Sequence, residues 1–106
     1  MSINYPKWLR EEPSKRKIAD KQEKHLAKKL GAKRTINSGA FDIAKGDLFT
    51  DDYLIEAKYT DKDQYILKFS ILEKIAKEAF ESGKDPALIL LFRKHNKHYL
   101  IIPLSI

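Results

Sequence analysis

Two stretches of this chain repeat their apolar residues at helical spacing, and the rest of the hydrophobic positions fall in short runs between turn-forming residues. From residue 14 to 30, Ala19, Glu23, Leu26, Ala27 and Leu30 recur three and four apart, the repeat of one helix face. Ser14 is placed to cap that helix and Gly31 to end it. Residues 66–82 carry a second such stripe through Leu67, Ile71, Ile75 and Ala79, with Gly83 as its stop. Between the two, residues 33–36 read as a short strand, and two β-prone runs flank Asp51-Asp52, a hairpin turn without the glycine that usually marks one. Residues 87–92 form a continuous apolar run of buried-strand length, and 99–104 form another after a basic turn at 93–98. The order α-β-β-β-α-β-β predicts an α/β domain with a central mixed sheet of about five strands flanked by helices. Residues 1–13 hold Pro6, Pro13 and the single Trp8, and read as an N-terminal arm on that one domain.

One position breaks the pattern. Glu23 puts a carboxylate on the helix stripe that should meet the core, where unpaired acids are rare. The hairpin supplies more acids. With Asp51 and Asp52 as its central residues, 50 pairs with 53, 49 with 54 and 48 with 55, so Asp47 falls opposite Glu56. Opposed β-carbons lie about 4.5–5.5 Å apart, and like charges there destabilise a sheet unless a positive group intervenes. Lys58, two residues beyond Glu56, projects from the same face. Two carboxylates and an ammonium on one hairpin suit a hard divalent cation and phosphodiester chemistry. The plainer alternative is an exposed Glu56–Lys58 ion pair on a strand that Asp47 merely opens.

Composition narrows the choices. The chain has 106 residues, 42% of them hydrophobic, with five Phe and five Tyr, a balance that favours one folded domain over disorder. It has no cysteine, which excludes disulfides, thiolate metal sites and thiol catalysis and fits a reducing cytosol. No apolar run approaches the ~20 residues of a bilayer span, and no secretory signal opens the chain. The net charge of +6 is uneven: residues 1–34 hold eleven Lys and Arg against four Asp and Glu, and the remainder hold ten against eleven. A basic end of this kind suits a polyanion, with nucleic acid before an anionic membrane surface. Arg16, Lys17, Lys21, Lys24, Lys28, Lys33 and Arg34 are its candidate phosphate contacts. Lys45 and Thr60 flank the acidic hairpin and are further candidates. His25, His95 and His98 lack a second ligand at metal spacing and read as surface residues, the last two near phosphate.

With these residues in place, Gly46-Asp47, Ile55-Glu56-Ala57-Lys58 and a preceding helix bearing Glu23 resemble the PD-(D/E)XK nuclease superfamily. In size and layout the chain is most similar to the archaeal-type Holliday junction resolvases, which include small phage-encoded members. Where that family usually carries Pro before the Asp, this chain has Gly46. The resemblance implies a restriction-endonuclease-like fold and Mg²⁺ (with Mn²⁺ as a substitute) held by Asp47, Glu56 and the backbone carbonyl of Ala57. It implies Lys58 as the residue that positions or activates water, Glu23 as the completion of the acidic cluster, and Ser38 and Gly39 in a substrate-contacting loop. It also implies a homodimer that cuts four-way DNA junctions in the cytoplasm of a prokaryotic or phage-infected cell. Two alternatives stay open: another nuclease of the superfamily acting in repair, restriction or on single strands, and a basic DNA-binding module without catalysis.

Overall fold

The computed structural model describes residues 14–35 and 46–105. The N-terminal arm, Ser38, Gly39 and Lys45 lie outside the described residues. Helix α1 (Lys15–Leu30) starts and stops where its sequence signals stand: the Ser14 hydroxyl accepts from the Lys17 amide at 3.2 Å, and Gly31 closes the helix in the left-handed region at φ 63°. Two-residue strands β1 (Lys33–Arg34) and β2 (Leu48–Phe49) precede β3 (Tyr53–Thr60). Helix α2 (Phe69–Glu81), β4 (Asp85–Phe92) and β5 (Lys97–Ile101) complete the chain.

The five strands form one mixed sheet in the order β1-β2-β3-β4-β5. Only β3 and β4 run parallel, and α2 makes the crossover that a parallel pair requires. Successive residues of a strand face opposite sides, and the core divides accordingly. On one side Leu26 of α1 packs with Leu48, Ile55, Ala87 and Ile89. On the other, Ile75 of α2 packs with Leu88 and Leu90. The architecture is therefore α/β, with one helix on each face of a mixed open sheet. No helix among the described residues is long and apolar enough to cross a membrane.

Four elements differ from their expected bounds. Strand β1 ends at Arg34, short of the expected 36, with Thr35 already outside it. Helix α2 begins at Phe69 rather than 66, because Lys68 stands in extended backbone at ψ 140°. Tyr65 and Leu67 still pack on the α2-side core, so their apolar character reports burial of an extended segment and not a helical turn. Strand β4 starts two residues early and includes Pro86, which pairs with Leu54 near the strand's beginning. Strand β5 spans 97–101 rather than 99–104. Ile102 and Leu104 continue the apolar run but stand exposed, and Pro103 cannot donate to a ladder.

Candidate functional site

The β2–β3 hairpin has the predicted register, with Leu48 opposite Ile55 and Phe49 opposite Leu54. Its turn lacks glycine and is held from outside. The Lys84 ammonium donates to the carbonyls of Thr50 and Asp51 at 2.6 and 3.0 Å, and the Asp85 amide donates to the Asp52 carbonyl at 2.7 Å. The end of the parallel crossover thereby pins the hairpin that carries the acids.

At Asp47 the regular ladder stops, which corrects the expectation of a simple Asp47–Glu56 opposition. The Asp47 amide donates at 2.9 Å to the carbonyl of Ile55, the residue already paired with Leu48. The chain steps out of register there, in the manner of a β-bulge. Gly46 permits the step at φ 80°, and a β-carbon at this position would meet the Leu54 side chain at 2.9 Å. Thr35, just past β1, clamps the bend: its hydroxyl donates to the Gly46 carbonyl at 2.7 Å and its amide to the Asp47 carbonyl at 3.1 Å. The Asp47 carboxylate then turns into the plane of the sheet and accepts the Ala57 amide at 2.8 Å, in the place of a backbone carbonyl. The N–H and C=O of one strand residue point to the same neighbour, so the Ala57 carbonyl faces the Asp47 side as well.

Glu56 and Lys58 share the face on which α2 packs, since they pair with Leu88 and Leu90. Their side chains form an ion pair at 3.6 Å. Burial of the Glu56 carboxyl and the negative charge of Asp47 raise its pKa, against the pull of Lys58 and Lys74. Glu23 approaches from the α1 side. Its pKa is also raised, by burial first and then by Asp47, while Arg34 at 3.3 Å opposes the shift. Asp47 is thus the common neighbour of both glutamates, at the sheet position between the two faces.

The three acids do not gather into one ligand set. Among the described residues no group of three His, Asp or Glu side chains is placed to hold a metal ion. Asp47 adjoins Ala57 through the amide bond, and its charge acts on Glu56; the oxygens of these residues are hard ligands. Two carboxylates with remaining waters are a usual Mg²⁺ set, and a cation there would offset both the burial and the Asp47 charge that raise the Glu56 pKa. The donor set therefore fits the ion.

This crowding has a measurable consequence. A carboxyl whose pKa is raised in the folded state keeps its full stabilising effect below its unfolded pKa, near the ordinary 4.5, and loses it as pH rises through the folded value. Glu56→Gln is expected to leave the melting temperature unchanged near pH 4 and to raise it at pH 7. Relief of one like-charge contact is worth up to about 1 kcal/mol, a few degrees in a domain of this length. Mg²⁺ at 100 times its Kd should stabilise the parent by about 2.7 kcal/mol and Glu56→Gln much less. A variant that melts below the parent at pH 7 refutes the crowding.

The basic residues differ in whether an acid meets them. Arg34, expected at a phosphate, lies between Asp20 at 2.7 Å and Glu23 at 3.3 Å, and Lys24 pairs with Asp20 at 3.1 Å. Lys17, Lys21, Lys24 and Lys28 follow one line of α1, opposite the buried Gln22 and Leu26. Arg16 borders a shallow groove with Glu23 and Arg34, and Lys28 and Lys33 are exposed. Thr60 stays local: its hydroxyl accepts the Lys62 amide at 3.1 Å and donates to the Gln64 carbonyl at 3.4 Å.

Other residues at the site were not anticipated. Gln22, not Glu23, is the fully buried polar residue of α1, and its side-chain amide donates to the Lys58 carbonyl at 2.9 Å. This bond ties the helix to the strand that carries Glu56 and Lys58. Lys74 and Glu78 of α2, paired at 3.9 Å, both act on Glu56. Glu78 lies three residues beyond Ile75 on the inward side of α2, the same anomaly that singles out Glu23. His25 and His95 are exposed as expected, while His98 is half-buried: it stacks on His25 with ring centres 5.6 Å apart, and burial lowers its pKa. His95 bonds Asp63 at 2.8 Å.

Fold and site together define a small α/β domain with an acidic–lysine cluster at the interrupted end of a hairpin. Compared with protein-family models, curated proteins and solved structures, the chain matches none.

Proposed function

We propose that this chain is a Mg²⁺-dependent endodeoxyribonuclease of restriction-endonuclease-like fold, cutting branched DNA, most similar in design to a Holliday junction resolvase and acting as a homodimer. The observation that carries the reading is the bend at Gly46-Asp47, which turns the Asp47 carboxylate toward Ala57, between Glu56 and Lys58 of the same strand. Asp47, Glu56 and the Ala57 carbonyl are the residues that would hold Mg²⁺ or Mn²⁺. Such an ion lowers the pKa of a bound water and offsets charge on the scissile phosphate. Lys58, kept near Glu56, orients the attacking water or stabilises the developing negative charge. Glu23, anchored by Arg34, sets the negative potential around Asp47 rather than serving as a ligand. Exposed Tyr99, Leu100, Ile102 and Leu104 at the β5 edge supply an apolar surface for self-association.

A second reading, a DNA-binding module without catalysis, has one observation in its favour. The Asp47 carboxylate and Glu23 both have partners within the chain. A cleavage panel separates the readings. With Mg²⁺, the nuclease makes paired symmetric nicks in a four-way junction and leaves matched duplex, flap and single strand largely intact. Equal cutting of plain duplex excludes the junction assignment, and binding of DNA with no metal-dependent cutting favours the module.

A further inference from the structure

We infer that the cleft between the N-terminal half of α1 and the β4–β5 turn binds a backbone phosphate of the DNA strand, away from the acidic cluster. The inference rests on the DNA-binding part of the proposed function. The cleft holds about 510 Å³ and is walled by Lys17, Lys21 and His25 from α1 and by Arg93, Asn96 and His98 from the β4–β5 side. Among the described residues no carboxylate lines it.

Three further observations point to an anion. First, Lys24 is the one α1 cation with an ion pair among the described residues, to Asp20, so Lys17 and Lys21 bring uncompensated charge to the cleft. Second, the first turn of α1 holds Lys15, Arg16 and Lys17 and no acid. The helix dipole favours negative charge at that end, so this placement works against helix stability unless an anion is bound nearby. Third, Arg93 is held ready. Asp61 bonds its Nη1 at 2.9 Å and the Tyr59 ring lies 5.8 Å from the guanidinium carbon, a fixed orientation that leaves other N–H groups of the fork unclaimed. Asp61 is itself exposed and outside the cleft lining.

The cleft stands apart from the acidic cluster. Gln22, which borders the cleft, bonds the Lys58 carbonyl, so the cleft adjoins the strand of the candidate active site. Glu23 lies on one flank of α1 and the cleft on the other. A helix with its side chains is about 10–12 Å across, so the phosphate in the cleft is a different one from that at Asp47. Recognition is of phosphate, without base readout.

The test measures binding by the full chain of a labelled four-way junction in EDTA across a salt series, with proton–nitrogen spectra of the His25 and His98 rings. Lys17→Gln/Lys21→Gln removes two exposed cations and leaves the core untouched, and Lys21→Gln/Arg93→Gln tests the opposite wall. Loss of one phosphate contact should lower the slope of log K against log salt by about 0.9 and weaken Kd about tenfold near 0.1 M salt. Lys77→Gln, on the exposed side of α2, should change neither. DNA should also shift the His25 and His98 resonances. Unchanged slopes together with unshifted rings overturn the inference, and metal-dependent cleavage by the parent would then stand unaffected. Conversely, a reduced slope and shifted rings in a protein that never cleaves would retain the cleft and remove the nuclease. Ring shifts with inorganic pyrophosphate and none with DNA would assign the cleft to a free polyphosphate and overturn the strand assignment.

Discussion

Asp47→Asn is expected to abolish Mg²⁺-dependent cleavage, with a loss of about 10³-fold or more, while the domain stays folded. The size follows from removing charge at a metal-supported, partly desolvated centre, where single electrostatic groups are worth about 10²–10³ in rate and the ion contributes several kcal/mol more. The choice of asparagine matters because Asp47 has two separable roles. Its Oδ2 accepts the Ala57 amide at 2.8 Å, and an asparagine oxygen retains that bond. Asp47→Ala removes it and leaves a half-buried amide unpaired, at a cost of about 1–3 kcal/mol. The pair of variants separates chemistry from scaffold: both are inactive, but only the alanine melts appreciably lower. Cleavage by Asp47→Asn within threefold of the parent sinks the assigned role, and DNA binding retained by both variants shows that the basic surface is independent of it.

The second large effect is expected at Gly46, and its sign opposes the motif. The resemblance to the PD-(D/E)XK pattern suggests proline at this position, and a change toward a family's common residue usually stabilises a protein. Here the backbone stands at φ 80°, which the pyrrolidine ring, fixed near −65°, cannot adopt. Gly46→Pro must unmake the bend, and with it the Asp47–Ile55 and Thr35–Gly46 bonds that hold it. Thermal melts should fall by more than about 10 °C, corresponding to roughly 3 kcal/mol in a domain of this size, and cleavage should vanish as Asp47 leaves its place. Gly46→Ala tests the same contact more gently, since its β-carbon meets Leu54. A proline variant as stable as the parent would show that the Gly46 backbone is not what positions Asp47.

These two positions also show where sequence reasoning reached and where it stopped. Helix α1 was legible at both ends because Ser14 and Gly31 act through local backbone chemistry. The hairpin register was legible because Asp51-Asp52 fixes the pairing two residues either side. The bulge was not, because it depends on Thr35 arriving from β1 and on a glycine φ that residue identity permits without dictating. Arg34 was read as a phosphate contact because its charge is visible in the sequence, while its partners Asp20 and Glu23 lie fourteen and eleven residues away and meet it only in the fold. Glu78 and Gln22 were accessible to the argument that singled out Glu23, since both sit on inward helix faces. The start of α2 was misplaced because Tyr65 and Leu67 satisfy helical spacing while packing from extended chain.

The bond from the Ala57 amide to the Asp47 side chain makes that amide an unusual hydrogen-exchange probe. The β3 amides that face β4 bond to backbone carbonyls of the parallel ladder. Protection at Ala57 depends on a carboxylate oxygen instead, so it tracks the state of Asp47 directly. A ligand that draws that carboxylate away removes the acceptor and quickens exchange at this one backbone position while its neighbours in β3 keep their rates. A single amide thus reports from inside the sheet on the side chain assigned to the chemistry, with no substrate or label required.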